Sequence, residues 1–299
     1  MKAYLVVAIL LVASLDNTTG NAAWDYGAQG PSTWQNNYTT CGSRSQSPID
    51  IVDSAVTSQA KSVPFVTSSL SAPTSMSIHN NGHSLQVDMT GGYTITNAAF
   101  LPNSYKAVQY HFHWGNTTGS EHKLKGQQFF GEMHIVHYNT KYPNISQALN
   151  QPQGLAVLAF FIKDTASKSN VNFAKITDQI QNGFASNTNK NIPAFAPSLL
   201  LPKLSVYYRY NGSLTTPPCS ETVIWTVFKE PIEISASQAT ILKTKVYKTG
   251  TTPVFDNFRP TQPLNGRKIL KYQISGAASY KAQGFVATFL MAALVCILN

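Results

Sequence analysis

Short alternations of apolar and polar residues, broken at turns rich in Gly, Pro and Asn, set the pattern of this chain. In Gln109-Tyr110-His111-Phe112-His113-Trp114-Gly115 the alternation puts His111 and His113 on one face of a strand and Phe112 on the other. Glu132-Met133-His134-Ile135-Val136-His137-Tyr138-Asn139 reads as a second strand, and pairing with the first sets His134 opposite the two histidines. His137 has the other parity and reads as structural. These strands are expected at about 105–115 and 127–139. Earlier ones are expected from Ser75 to His79, Ser84 to Met89 and Tyr93 to Thr96, with Asn80-Asn81-Gly82 as the hairpin turn between the first two. The run Leu155 to Lys163 predicts a strand buried on both faces. A Pro-rich loop from Pro193 to Pro202 leads to another strand, Lys203 to Tyr210.

Helical spacing is confined to two longer stretches. Phe173, Ile176 and Ile180 mark a helix over Asn170 to Phe184, and Ser235 is the N-cap of a second that reaches Lys243. Pro31-Ser32-Thr33-Trp34 opens a short helical turn, and the aromatics Trp24, Tyr26 and Trp34 of this N-terminal arm are expected as packing anchors. With no repeat, linker or composition break between Ala22 and Ser275, the reading is one β-rich domain with a few peripheral helices.

The two ends carry different patterns. Residues 1–20 read as a signal peptide, with Lys2 before the apolar run Tyr4 to Ala13, which is too short to span a bilayer. At the other end, Ser275-Gly276-Ala277-Ala278, a polar spacer and the apolar tail Gly284 to Leu298 match the signal for a glycosylphosphatidylinositol (GPI) anchor. Residues 276–299 would then be removed and 21–275 form the mature domain; a short membrane-spanning helix and an uncleaved tail are the alternatives. Cys296 would leave with the tail, so Cys41 and Cys219 remain and can pair in an oxidising compartment; two separate thiols are the alternative. Sequons at Asn17, Asn37, Asn116, Asn144 and Asn211 fit export.

Composition narrows the function. The 299 residues carry a net charge of +9, but charged residues are only 12% and the lysines and arginines are scattered singly. That excludes a nucleic-acid-binding stripe. Three histidines on rigid strands, with no fourth protein ligand close in sequence, suggest a catalytic zinc site with an open position: His111, His113 and His134. Gln109 and Glu132 lie two residues before His111 and His134, in phase to accept each ring's spare N–H. His79 and His122 read as ordinary structural histidines.

From about Trp24 to Ser275 the chain resembles the α-class carbonic anhydrases. The resemblance rests on Gln46-Ser47-Pro48-Ile49-Asp50-Ile51, Asn80-Asn81-Gly82-His83, Tyr110-His111-Phe112-His113-Trp114-Gly115, Gly119-Ser120-Glu121-His122, Glu132-Met133-His134-Ile135-Val136-His137, Gly212-Ser213-Leu214-Thr215-Thr216-Pro217-Pro218-Cys219 and Asp256-Asn257-Phe258-Arg259-Pro260. Tyr138 and Phe258 depart from it, standing where tryptophans are common.

The resemblance implies a single domain on a large, mainly antiparallel twisted sheet, and zinc-dependent reversible hydration of carbon dioxide to bicarbonate and a proton. Its implied zinc ligands are His111, His113 and His134. Thr215 would accept a hydrogen bond from zinc-bound hydroxide and donate one to Glu121. Val136, Val157, Leu214, Val223 and Trp225 would form an apolar wall for the substrate, with the Thr215 backbone N–H also touching it. Tyr26, Asn81, Gln86 and Thr216 would order water, and His83 would carry the proton out. Cys41 and Cys219 match positions bridged in extracellular members. The expected partners are carbon dioxide, bicarbonate and a membrane met through the lipid anchor.

Overall fold

Alternation becomes a sheet with two differently used faces. The computed structural model describes residues 23–59, 72–91, 93–95, 101–165 and 168–274. The signal-peptide and lipid-anchor expectations fall outside these residues. Eleven strands make the main sheet: β1 (Val56–Ser58), β2 (Ser75–Asn80), β3 (Leu85–Thr90), β4 (Thr94–Ile95), β5 (Tyr105–Trp114), β6 (Gly131–Asn139), β7 (Leu155–Thr165), β8 (Thr188–Ile192), β9 (Val206–Gly212), β10 (Val223–Ser235) and β11 (Ile269–Gln273). They lie in the order β8-β2-β3-β5-β6-β7-β10-β9-β11-β1, with β4 also paired to β5. All pairs are antiparallel except β7 with β10 and β11 with β1. The mostly β, mainly antiparallel expectation holds.

The two faces bury separate clusters. Ile78, Leu85, Val87, Tyr110, Phe112, Met133, Ile135, Leu158 and Phe160 fill the larger core, joined by Ile176 and Ile180 from the helix Ala174–Ile180 and by Phe173 at its N-cap. Val136, Val157, Ala159, Phe161, Val227 and Trp225 belong to a smaller cluster on the opposite face. Register aligns these faces across the centre. His111 pairs with His134 and His113 with Glu132, and Gln86 pairs with His111. A one-residue slip would exchange every side chain between faces, so the large apolar residues behind the histidines hold them in place.

Several boundaries differ from the sequence reading. β6 starts at Gly131 rather than near 127, because Leu124 and Gln127 exchange backbone hydrogen bonds in a tight turn. The helix expected from Asn170 begins at Ala174, since the Asn170 side chain accepts the N–H groups of Asn172 and Phe173 in a preceding turn. It ends before Phe184, whose N–H binds the Lys245 carbonyl, and Gly183 there has φ +99°. β9 runs from Val206 to Gly212 instead of from Lys203. The edge strand β8, Thr-Asn-Lys-Asn-Ile, was not anticipated because only its last residue is buried. The second long helix, Ala236–Lys245, carries Ser235 as its N-cap with a reciprocal bond from Gln238.

The hairpin between β2 and β3 matches its turn signal. Gly82 takes φ +83°, and the Asn81 side chain accepts the N–H groups of His83 and Ser84. Across the molecule, Cys41 and Cys219 form a disulfide with a sequence separation of 178. It ties the N-terminal arm to the loop carrying Thr215 and Thr216.

Candidate metal centre

Adjacent central strands bring the three histidines together, and each ring is held from behind. The Gln109 carbonyl oxygen lies 2.9 Å from His111 Nδ1. The Asn257 backbone carbonyl lies 2.7 Å from His113 Nδ1. Glu132 Oε1 lies 2.7 Å from His134 Nε2. Each partner is an acceptor, so each of these nitrogens carries its ring's proton. The lone pairs are left on His111 Nε2, His113 Nε2 and His134 Nδ1. A ligand atom from each ring lies within 4.8 Å of those of the other two.

Burial favours neutral rings. Burial pushes both His111 and His113 below the ordinary imidazole range, reinforced at His111 by the neighbouring histidines. His113 Nε2 is buried with no hydrogen-bond partner. A buried, unpaired imidazole nitrogen converging with two others fits a divalent ion that accepts nitrogen ligands, and three protein ligands leave a fourth position open. A second acidic and imidazole grouping, His122, Glu132 and His134, is a hydrogen-bonded chain: Glu132 Oε1 binds His122 Nδ1 and His134 Nε2, each at 2.7 Å.

That chain was missed by the sequence reading. His122 is fully buried, and its Nε2 lies 2.6 Å from the Tyr210 hydroxyl, which donates to Ser47 Oγ. The His122 backbone N–H also donates to Glu132 Oε2. Burial pushes the Glu132 carboxyl up, but His122 and His134 together hold it well below the usual carboxylate range. Asn257 was also missed as a holder of the site, although its motif was visible. Its side chain accepts from the Trp114 N–H and donates to the His83 and Phe112 carbonyls.

The histidines sit in a cleft with about 660 Å³ of empty space, part of it open to solvent. One side is apolar, with Val136, Val157, Leu214 and Trp225; the other is polar, with Tyr26, Asn81, Gln86 and Thr216, and Thr215 also lines the cleft. Val223, expected in the apolar wall, is not among the lining residues. It is buried in the same cluster as Val136, Val157, Leu214 and Trp225, and Leu155, its cross-strand partner, lines the cleft. Ile145 lines the cleft as well, from the short helix Ile145–Ala148.

His83 lines the cleft and stacks on Trp24, with ring centroids 4.1 Å apart and planes 15° from parallel. Trp24 therefore touches the site rather than serving only as an anchor of the arm. Glu121 is buried beside the ligand nitrogens. Its Oε1 accepts the Arg259 backbone N–H at 2.9 Å. Its Oε2 has no hydrogen-bond partner and stands 3.5 Å from His113 Nε2 and 3.9 Å from His134 Nδ1. The implied bond from Thr215 to Glu121 is thus not formed, and the free carboxylate oxygen stands beside two ring nitrogens that carry lone pairs. The Arg259 guanidinium is buried too, donating to Gln46 Oε1 and to the Ser47 and Cys41 carbonyls.

Comparison with known proteins agrees with this geometry. The eukaryotic-type carbonic anhydrase family model matches residues 29–273. Carbonic anhydrase 12 of Homo sapiens is 37% identical over 281 residues, covering 88% of this chain and 78% of its own. Carbonic anhydrase 7 of Homo sapiens is 37% identical over 260 residues, covering 84% of this chain and 97% of its own, and its Mus musculus counterpart gives the same figures. Three imidazoles braced on central strands beside a half-apolar cleft, within a match of this length, make the chain a member of the eukaryotic-type carbonic anhydrase family and an enzyme of that class.

Proposed function

We propose that this carbonic anhydrase holds one zinc ion through His111 Nε2, His113 Nε2 and His134 Nδ1 and hydrates carbon dioxide outside the cell. The observation that carries the metal assignment is the set of three inward nitrogens whose ring partners are all acceptors. Zinc, when bound, supplies a Lewis acid that makes water acidic near neutral pH, the general property of the ion in carbonic anhydrases.

The chain's residues divide the remaining work. Val136, Val157, Leu214 and Trp225 offer an uncharged, apolar substrate a dry surface next to the histidines. Thr215, in the cleft, orients the attacking oxygen through its hydroxyl and binds substrate through its backbone N–H. Glu121 supplies a fixed buried carboxylate beside the ligands. Gln109 and Glu132 hold the His111 and His134 tautomers. Tyr26, Asn81, Gln86 and Thr216 give water a polar path along the opposite wall. A ring nitrogen of His83 takes the released proton at the end of that path, since imidazole titrates near neutral pH.

The test measures stopped-flow carbon dioxide hydration and zinc content on one preparation of the 21–275 domain. Wild type is expected to hold one zinc and be active, and His111→Gln to lose both while remaining folded. Hydration that persists in a zinc-free variant refutes the assignment.

Export and a GPI anchor complete the proposal. They are supported by the terminal patterns, by the Cys41–Cys219 bond and by the exposure of the sequons Asn37, Asn116, Asn144 and Asn211. Among the described residues no helix is long and apolar enough to cross a membrane. A phosphatidylinositol-specific phospholipase is expected to release the protein from cells; retention counts against the anchor.

A further inference from the structure

A buried carboxylate lies behind the polar wall with no part in the chemistry above. Asp88 and Gln86 sit two apart on β3, each 6% exposed. Gln86 lines the cleft. Its Nε2 donates to Asp88 Oδ1 at 2.6 Å, a short bond of the charge-assisted kind. Gln86 pairs with His111 across the strands, and Asp88 pairs with Gln109, the residue that holds the His111 ring. Gln109 Nε2 is buried without a hydrogen-bond partner on the same face.

An ionised carboxylate only accepts hydrogen bonds, whereas an amide end can either donate or accept. We propose that Asp88 is a positioning residue of the cleft: it binds the NH2 of Gln86 and so presents the Gln86 carbonyl oxygen to the cleft. A carbonyl on this wall receives hydrogen bonds from water and offers nothing to an anion's oxygens. Resting on the carbon dioxide reading, this orientation favours departure of the anionic product along the polar side.

The arrangement also has a second state. A protonated carboxyl can donate, and the terminal torsion of Gln86 is two-fold, so the amide can then turn its NH2 to the cleft. Burial raises the Asp88 carboxyl to about 6, against the opposing bond from Gln86. Among the described residues, the titratable groups sharing this face on the flanking strands are His79 on β2 and Lys106, His111 and His113 on β5.

The decisive measurement is the side-chain amide signal of Gln86 in ¹⁵N-glutamine-labelled protein between pH 4.5 and 8, assigned by its loss in Gln86→Ala. The signal is expected to move in one step near pH 6 in wild type and to lose that step in Asp88→Asn. A Gln86 signal that ignores pH, or a step that survives in Asp88→Asn, overturns the proposal. If the variant does not fold, the side-chain carboxyl ¹³C signal of Asp88 in wild type decides: it is expected to titrate with the same midpoint as the Gln86 amide, and a different midpoint overturns the proposal. The titration uses neither turnover nor bound metal, so it stands apart from the hydration reading. In the active enzyme, thiocyanate is expected to inhibit Asp88→Asn about two- to tenfold more tightly than wild type, the net size of one hydrogen bond after exchange with water. Asp88→Glu, which keeps the charge and the acceptor, stays within about twofold of wild type. Equal inhibition of all three overturns the proposal.

Discussion

Glu132→Gln would change one oxygen to a nitrogen in a side chain that accepts three hydrogen bonds. In wild type, Oε1 serves the His122 and His134 rings and Oε2 serves the His122 N–H. Glutamine has one acceptor oxygen. If that oxygen faces the rings, the new NH2 meets the His122 N–H, donor against donor. If it faces the N–H, the NH2 meets the rings, and His134 keeps hydrogen-bonding only by shifting its proton to Nδ1, the nitrogen needed for the metal. Either pose leaves a buried donor unmatched, at a cost of about 1–3 kcal/mol, and the surviving bonds lose their charge assistance. The expected loss is about 2–5 kcal/mol of stability, or roughly 5–15 °C in Tm for a domain of this size. Zinc affinity is expected to fall about 10- to 100-fold as the His134 orientation loosens. Urea unfolding of chelator-treated protein isolates the first effect, and competition with a chromogenic chelator measures the second. An unchanged urea midpoint together with a zinc Kd within about twofold of wild type would refute the reasoning. The pH sign follows from the lowered carboxyl: its stabilisation is present above the ordinary carboxylate range near ~4.5 and is lost as pH falls through the lower folded value.

Other consequences are as direct. Burial lowers His137 to about 4, so the unfolded chain binds a proton that the folded one refuses between about 4 and 6.5. Stability from this group is full above that window and falls by about 3 kcal/mol as pH drops through it; the acid slope of denaturant unfolding should flatten in His137→Gln, and an unchanged slope rejects the assignment. His83→Ala should slow hydration on the order of tenfold or more at low buffer, with recovery on adding imidazole; a rate indifferent to buffer rejects the shuttle. Replacing both Cys41 and Cys219 by Ser should lower the unfolding free energy by about 2–5 kcal/mol, given their sequence separation of 178. No change in the urea midpoint of that double variant would show that the bridge is dispensable.

What could be read in the sequence was mostly local parity. His111 and His113 share a face because strands alternate, and Gln109 and Glu132 fall in phase with their histidines for the same reason. His137 is buried on the other face, with Tyr93 beside it. Where partners come from far along the chain, no such signal exists. The acceptor for His113 is a backbone carbonyl at Asn257, 144 residues away, and backbone atoms have no sequence signature. His122 looked ordinary because its partners, Glu132 and Tyr210, meet it only after the four strands β6, β7, β10 and β9 are in register. Val223 has the right parity for the apolar wall and packs with it, whereas Leu155, brought beside it by parallel pairing of β7 with β10, had no such signal and lines the cleft. Turn chemistry shortened the Asn170 helix, where an Asn side chain competed with the first helical hydrogen bonds.

The separate packing on either side of the sheet reaches beyond this enzyme. Phe112, Met133 and Ile135 anchor the scaffold from the side away from the cleft, and the three inward imidazoles are not part of that apolar foundation. Descendants of such a chain can therefore discard their metal chemistry by changing a handful of residues on one surface and still fold. The vacated hollow would then be free to evolve as a receptor for some other small molecule.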